Sequence, residues 1–266
     1  MPQASRDRAA VQAAYDFWRS PHVKPDEILA VPRDSTLERI KEHSVVLALQ
    51  DTTELNFTHH PQKQGLGYLD SPRARGLKVH SILCCSVQGT PLGLLHQQVW
   101  ARDLAELGKK HQRGRKPIEE KESYRWIEGL EAVQTWVDPS VAVVNITDQE
   151  GDIYELFAHP RRSNSELLIR AYHNRSVKQD AADPEVKRLH QAIEQVAPKG
   201  ELSFELPRTP KRAAREVTLT IRFASFLIQP PQEHLNRHQL KPIRLQAILA
   251  EEENSPTNES PCGGYC

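Results

Sequence analysis

No run of eighteen or more apolar residues occurs anywhere in the 266 residues, so no membrane-spanning helix is expected. Charge of one sign is not in excess either: 35 Lys and Arg balance 35 Asp and Glu. Proteins that live permanently on nucleic acid usually carry a basic surplus, so the balance counts against that class and leaves only local basic clusters for the role. Cysteine is scarce, with four in all. Cys84 and Cys85 are neighbours in an apolar run, where strand geometry points them to opposite faces. They read as small buried hydrophobes, neither a bridge nor a shared metal site. Cys262 and Cys266 are too few for a zinc site unless histidines join them from elsewhere. A reducing, cytosolic setting fits best. The opening residues, Met-Pro-Gln-Ala-Ser-Arg-Asp-Arg, lack a signal-peptide core, and no repeat of convincing period is found.

What is present is ordinary globular material of mixed character. Ala10, Ala13, Ala14, Phe17 and Trp18 fall on one helical face, predicting a helix from Ser5 to Trp18 that stops before Pro21. Ser35-Thr36-Leu37-Glu38 has capping-box form and predicts a second helix starting there. Then the pattern turns extended. Val45 to Leu49 reads as a strand covered on both faces, ending in Gln50-Asp51-Thr52-Thr53. Lys78 to Val87 and Leu92 to Trp100 flank Gly89-Thr90-Pro91 as a hairpin. Glu122 to Trp136 reads as a helix, Val141 to Ile146 as a buried strand, Ile153 to Ala158 as a short helix and Glu166 to Ala171 as a strand. Together these predict a mixed α/β sheet.

Residues 174–250 differ. A charged helical stretch, Pro184 to Val196, precedes strands at Leu202 to Leu206, Glu216 to Ile228 and Ile243 to Ala250. In the middle one Val217, Leu219, Ile221 and Phe223 alternate with Thr218, Thr220, Arg222 and Ala224, which predicts antiparallel structure with one wet face. The expected organisation is a helical segment over 1–43, a mixed-sheet core over 44–173, a β-rich unit over 174–253 and a tail without fold signal over 254–266.

One event repeats: an apolar strand that terminates in an acid, Asp51 after Val45–Leu49 and Asp148 after Val141–Ile146. If the two strands are neighbours, both carboxylates meet at the sheet edge. Hard divalent cations prefer such oxygen ligands and accept phosphate oxygens in their remaining positions, the arrangement used for in-line displacement at phosphorus. An Asp after a strand also serves commonly as a helix cap or turn former. Spacing alone leaves both readings open.

Longer stretches add a resemblance. Val46-Leu47-Ala48-Leu49-Gln50-Asp51-Thr52-Thr53-Glu54-Leu55-Asn56-Phe57 resembles the first acidic motif of the DDE transposases of the insertion-sequence-four, or transposon-five, type. Gly93-Leu94-Leu95-His96-Gln97-Gln98-Val99-Trp100-Ala101-Arg102 looks like the strand that follows it in that family. Val144-Asn145-Ile146-Thr147-Asp148-Gln149-Glu150-Gly151-Asp152-Ile153-Tyr154 is similar to the second acidic motif. The likeness runs in order from about Arg6 to Glu253. It implies a ribonuclease-H-like fold, with Asp51 on the first strand, Asp148 at the fourth, and the 174–253 segment as a β-rich insertion. It further implies that Asp51 and Asp148 coordinate magnesium or manganese, that transposon-end DNA is the partner, with a homodimer or a full-length transposase as further partners, and that the setting is a bacterial cytoplasm. Glu150 and Asp152 are read as acids that start the following helix, where the dipole favours them.

The family's third motif, Tyr, Arg, Glu and Lys on a helix after a further strand, finds no counterpart. Ala247-Ile248-Leu249-Ala250-Glu251-Glu252 matches the last strand of the insertion, so Glu251, Glu252 and Glu253 are rejected as substitutes. The expectation is a transposase truncated at both ends, lacking the final strand and catalytic helix and inactive alone. One alternative is a truncated DNA-binding or dimerising inhibitor of the full-length enzyme. Another is an unrelated metal nuclease whose third acid is Glu54 or Asp152. The uncovered flank of the sheet predicts low solubility. For DNA phosphates the candidates are Lys109, Lys110, Arg113, Arg115 and Lys116, with Arg161, Arg162, Lys211, Arg212 and Arg215 behind them. Trp100, Trp126 and Trp136, and the histidines His59, His60 and His80, read as structural.

Overall fold

A computed structural model describes residues 7–60, 62–108, 116–210, 212–253 and 262–266. The chain opens with two helices, α1 (Arg8–Arg19) and α2 (Pro25–Ile40). The second begins ten residues earlier than its expected cap at Ser35. Pro25 at the first helical position, with Asp26 and Glu27 in the first turn, supplies a better start, and the sequence from Ser35 to Glu38 lies in the helix interior. Thr36 there spends its hydroxyl on the carbonyls of Pro32 and Leu94, at 2.8 and 2.9 Å.

The first sheet contains β1 (Val45–Asn56), β2 (Gly67–Tyr68), β3 (Arg75–Ser86), β4 (Pro91–Trp100), β5 (Ala142–Thr147) and β6 (Ser165–Ile169). Its order across the sheet is β4, β3, β1, β5, β6, with the short β2 sharing the outer edge of β3 with β4. The β4–β3–β1 pairings are antiparallel, and β1–β5 and β5–β6 are parallel. A parallel step needs a crossover, and helices α3 (Arg125–Trp136) and α4 (Tyr154–Ala158) lie in the two connections concerned. The expected mixed α/β sheet is therefore present.

One face of this sheet is sealed. Ile40, Val46, Ala48, Ile82, Cys84, Leu92, Leu95, Val133, Val137 and Val143 form a single buried cluster beneath α2 and α3. Trp126, Ile127, Leu130, Leu156 and Ile169 continue it toward α4 and β6. The opposite face presents Leu47, Leu49, Leu83, Val144 and Ile146, all only half-buried and none part of a buried cluster. Leu168 beside them is 37% exposed.

The second sheet is antiparallel and contains β7 (Ser176–Lys178), β8 (Lys187–Arg188), β9 (Gly200–Leu206), β10 (Arg215–Ile228), β11 (Ile243–Glu252) and β12 (Gly263–Tyr265). Helix α5 (Leu189–Glu194) packs Leu189, Ala192 and Ile193 against Phe226, Ile228, Ala247 and Leu249. The expected single wet face of β10 does not persist along its length. Val217 and Leu219 are buried on one side, Phe223 is 49% exposed, and Phe226 and Ile228 are buried on the other. Because α5 covers only the far end of the strand, the buried face changes part-way along. The tail also departs from expectation: residues 263–265 pair with β11, and the Cys262 N–H donates to Glu252. Residues 254–261 lie outside the described residues.

Candidate functional site

Two registers place the acids. Along β1 the buried positions Val46, Ala48 and Gln50 point to the helical face, so Asp51 shares the open face with Leu47 and Leu49. Along β5, Val143, Asn145 and Thr147 are buried, which leaves Val144, Ile146 and then Asp148 on that same open face. The parallel ladder ends with Gln50 opposite Thr147. Asp148 keeps extended dihedrals, φ −74° and ψ −169°, and it follows Thr147 as Asp51 follows Gln50, one step beyond the last ladder pair.

The expected end of β1 at Asp51 is not found; the strand continues to Asn56, paired with β3 as far as Gly76. What ends at this level is its other neighbour, β5. Asp51 is thus held in a continuous strand and is open on the side where β5 has stopped. Its carboxylate has no hydrogen bond or ion pair with any described residue. Asp148 accepts the Glu150 N–H at 2.9 Å as a cap for the following turn, the ordinary job for such an Asp, and has no cationic partner among the described residues.

Other nearby acids are committed. Asp152 is 2% exposed and accepts from the N–H groups of Tyr172 and His173 at 2.8 and 2.7 Å, while the Arg175 guanidinium pairs with its second oxygen. Glu54 accepts the Asp70 N–H at 2.7 Å and pairs with Lys78 at 3.2 Å. Neither is free to complete a metal site, which removes both third-acid candidates. Asp70 is tied to Lys78 and Arg102; burial would raise its pKa, but these two cations hold the carboxyl down at about 2. Among the described residues no group of three or more His, Cys, Asp or Glu is placed to hold a metal ion.

Behind Asp51, on the helical face, lies a buried polar chain. Arg125 donates from Nε to the Thr52 hydroxyl at 2.9 Å. Thr52 Oγ1 and His80 Nδ1 are 2.9 Å apart, and His80 Nε2 lies 3.2 Å from Gln50 Oε1. Since Arg125 is always a donor, the consistent assignment has Thr52 donating to Nδ1 and a neutral His80 donating from Nε2. Burial drives the His80 pKa down to about 3, with the positive charge of Arg125 adding to the effect. The His80 ring also meets Trp126 edge-on, at 4.6 Å between centroids. The structural reading of His80 and Trp126 therefore stands. Sequence reasoning missed Arg125 and Gln50. The available signal was a polar Gln50 in the buried phase of a strand, opposite His80's neighbour Ile82.

A cleft of about 490 Å³ opens directly after Asp148, lined by Gln149 and Glu150 together with Arg102, Lys121, Arg125, Tyr172 and His173. Tyr172 is 63% exposed. The basic residues singled out from sequence divide. Lys109, Lys110, Arg113, Arg115 and Lys211 lie outside the described residues. Lys116 pairs with Glu106 at 3.4 Å. Arg162 is spent on the carbonyls of Val137 and Val141, and Arg215 on Glu252, so these two are framework residues. No known protein-family model matches the chain.

Proposed function

We propose that this chain derives from a cut-and-paste DNA transposase with a ribonuclease-H-like core, in which Asp51 and Asp148 hold a divalent cation used for strand hydrolysis and transfer. The observation that carries this reading is the pair itself. Two carboxylates without cationic partners stand at adjoining register positions on an open sheet face, while Glu54, Asp70 and Asp152 nearby are all paired. Like charges side by side on neighbouring strands are unfavourable unless a cation sits between them.

Three further features support it. The order β4, β3, β1, β5, β6 puts β1 and β5, the strands that lead to Asp51 and Asp148, side by side in the sheet. The donor set is chemically suitable, since two exposed carboxylate groups offer hard oxygen ligands and leave room for water and phosphate. The adjoining cleft offers Lys121 for phosphate and Tyr172 for a base. When bound, magnesium or manganese would supply Lewis-acid stabilisation of charge at phosphorus; the protein's part is to present the two carboxylates and to position the strand.

Among the described residues no third acid is grouped with this pair, so on this reading cleavage by the chain alone is weak. That favours, as a second reading, a product that binds DNA or a full-length transposase and inhibits it. Manganese titration of the chain, by calorimetry or water-proton relaxation, tests the first. Binding should be lost or weakened by more than about tenfold, the scale seen even for groups one step removed from a metal, in both Asp51→Asn and Asp148→Asn. Unchanged affinity in either variant sinks the site. Retained duplex binding without nicking in manganese would favour the inhibitor reading.

A further inference from the structure

One side chain touches both segments that carry the acids. Arg125 stands at the start of α3 with its side chain 11% exposed. Its Nε donates to Thr52, the residue after Asp51, and its Nη2 meets the Glu150 carboxylate at 2.6 Å. Glu150 is the residue whose N–H donates to the capping carboxylate of Asp148. The third arm, Nη1, donates to the Glu122 carbonyl at 2.8 Å and so fixes the guanidinium to the turn that leads into α3. Trp126 and Trp100 lie against it, with ring centroids 5.1 and 5.9 Å away.

From this geometry we infer that Arg125 is a positioning residue which sets the separation and aim of Asp51 and Asp148; the inference rests on the metal-binding reading given above. A planar guanidinium offers donors in fixed directions, so three anchors on three segments define one arrangement. The chain from Thr52 through His80 to Gln50 extends the hold to the residue before Asp51. Residues 50 and 52 are thus both restrained on the helical face, while residue 51 between them is aimed outward. A lysine ammonium, a compact charge on a flexible stem, cannot serve Thr52, Glu150 and the Glu122 carbonyl with one rigid fork.

Charge and geometry make opposite forecasts here, which allows a clean test. Arg125 is a cation near a proposed cation site, so if it acted through charge alone, its removal would tighten manganese binding. If it acts by positioning, removal weakens binding. The measurement is manganese affinity of Arg125→Met and Arg125→Lys, made well below each variant's melting temperature, beside Asp51→Asn and Asp148→Asn. The expected result is a loss of about tenfold to a hundredfold for both Arg125 variants, the range associated with groups that orient metal ligands. Thr52→Val removes one anchor without a change of charge and should give a smaller loss in the same direction. It also answers the question if the Arg125 variants fail to fold. A lowered melting temperature with unchanged or tighter manganese affinity overturns the inference while leaving the proposed function intact, provided that Asp51→Asn and Asp148→Asn abolish binding. If those two variants bind as the parent chain does, the site itself is wrong and the role of Arg125 falls with it.

Discussion

Asp152 and Asp51 are both carboxylates within a few residues of an apolar strand, yet their surroundings give them opposite work. Asp152 accepts two backbone N–H groups and a guanidinium, and it ties the start of α4 to the segment after β6. Removing one partner of such a buried pair leaves an uncompensated charge, so Asp152→Ala is expected to cost about 3–5 kcal/mol of stability. Urea titration measures it, and a loss below about 1 kcal/mol would show the pair to be dispensable. His80 gives a pH-dependent forecast. Its pKa falls from 6.5 to about 3 on folding, so between these values the unfolded chain binds a proton that the folded chain refuses. Its stability contribution is therefore fully present above pH 6.5 and is lost as pH falls, with a slope of up to about 1.4 kcal/mol per unit. The difference in stability between the parent and His80→Gln should shrink with acidification over that window. A pH-independent difference would contradict the burial of a neutral imidazole.

At the scale of elements, the sequence was readable where period and composition agreed. The apolar runs at Val45 to Leu49 and Val141 to Ile146, and the hairpin around Gly89, all announce strands, and the strands are there. Misreadings arose where a local signal competed with tertiary context. Ser35 carries a capping signature but sits inside α2, which tolerates Pro32 and is anchored to β4 instead. The polar stretch after Gln50 looked like a strand end, yet β3 remains as a partner for it. The short strands β2, β7, β8 and β12 have too few residues to show a period. The site was legible as two acids at the ends of apolar runs; Arg125 was not, because its role depends on three segments distant in sequence. The α2–β4 joint gives the forecast for this scale. Gly93 has φ 135°, and a Cβ there would stand 2.3 Å from the Thr36 hydroxyl oxygen. Gly93→Ala combines backbone strain with that clash and should destabilise by about 1–3 kcal/mol or more. Thermal melts check this, and an unchanged midpoint would mean that α2 moves freely over β4.

Across the whole molecule, the two sheets are joined by specific polar links. Tyr154 bonds to the Lys241 carbonyl, Ala171 donates to Tyr265 at 2.8 Å, and His234 meets Glu155 at 3.2 Å. Among the described residues, the face of the first sheet that carries the two acids is only half-covered, with Leu47, Leu49, Leu83, Val144 and Ile146 half-buried and Leu168 exposed. Apolar surface of this kind marks an interaction site or a liability to association. The chain should bind an apolar fluorescent dye while folded and self-associate as concentration rises. Leu168→Lys, on the exposed end of that face, should reduce both effects and shift stability by no more than about 0.5 kcal/mol. Sedimentation and dye titration provide the readouts, and a monodisperse parent chain without dye binding would refute the expectation. No helix among the described residues is long and apolar enough to cross a membrane.

The pairing of β1 with β5 also bears on how this gene can tolerate change in length. Strand faces repeat every two residues, so a single codon lost between Val45 and Gln50 would turn Asp51 inward, against α3, and bring Gln50 or Thr52 outward in its place. Loss of two codons would keep the parity and shift the acid along the strand instead. A library of small deletions through this segment should therefore show an odd–even rhythm in manganese affinity, a rhythm that a flexible loop carrying the same acid would not produce.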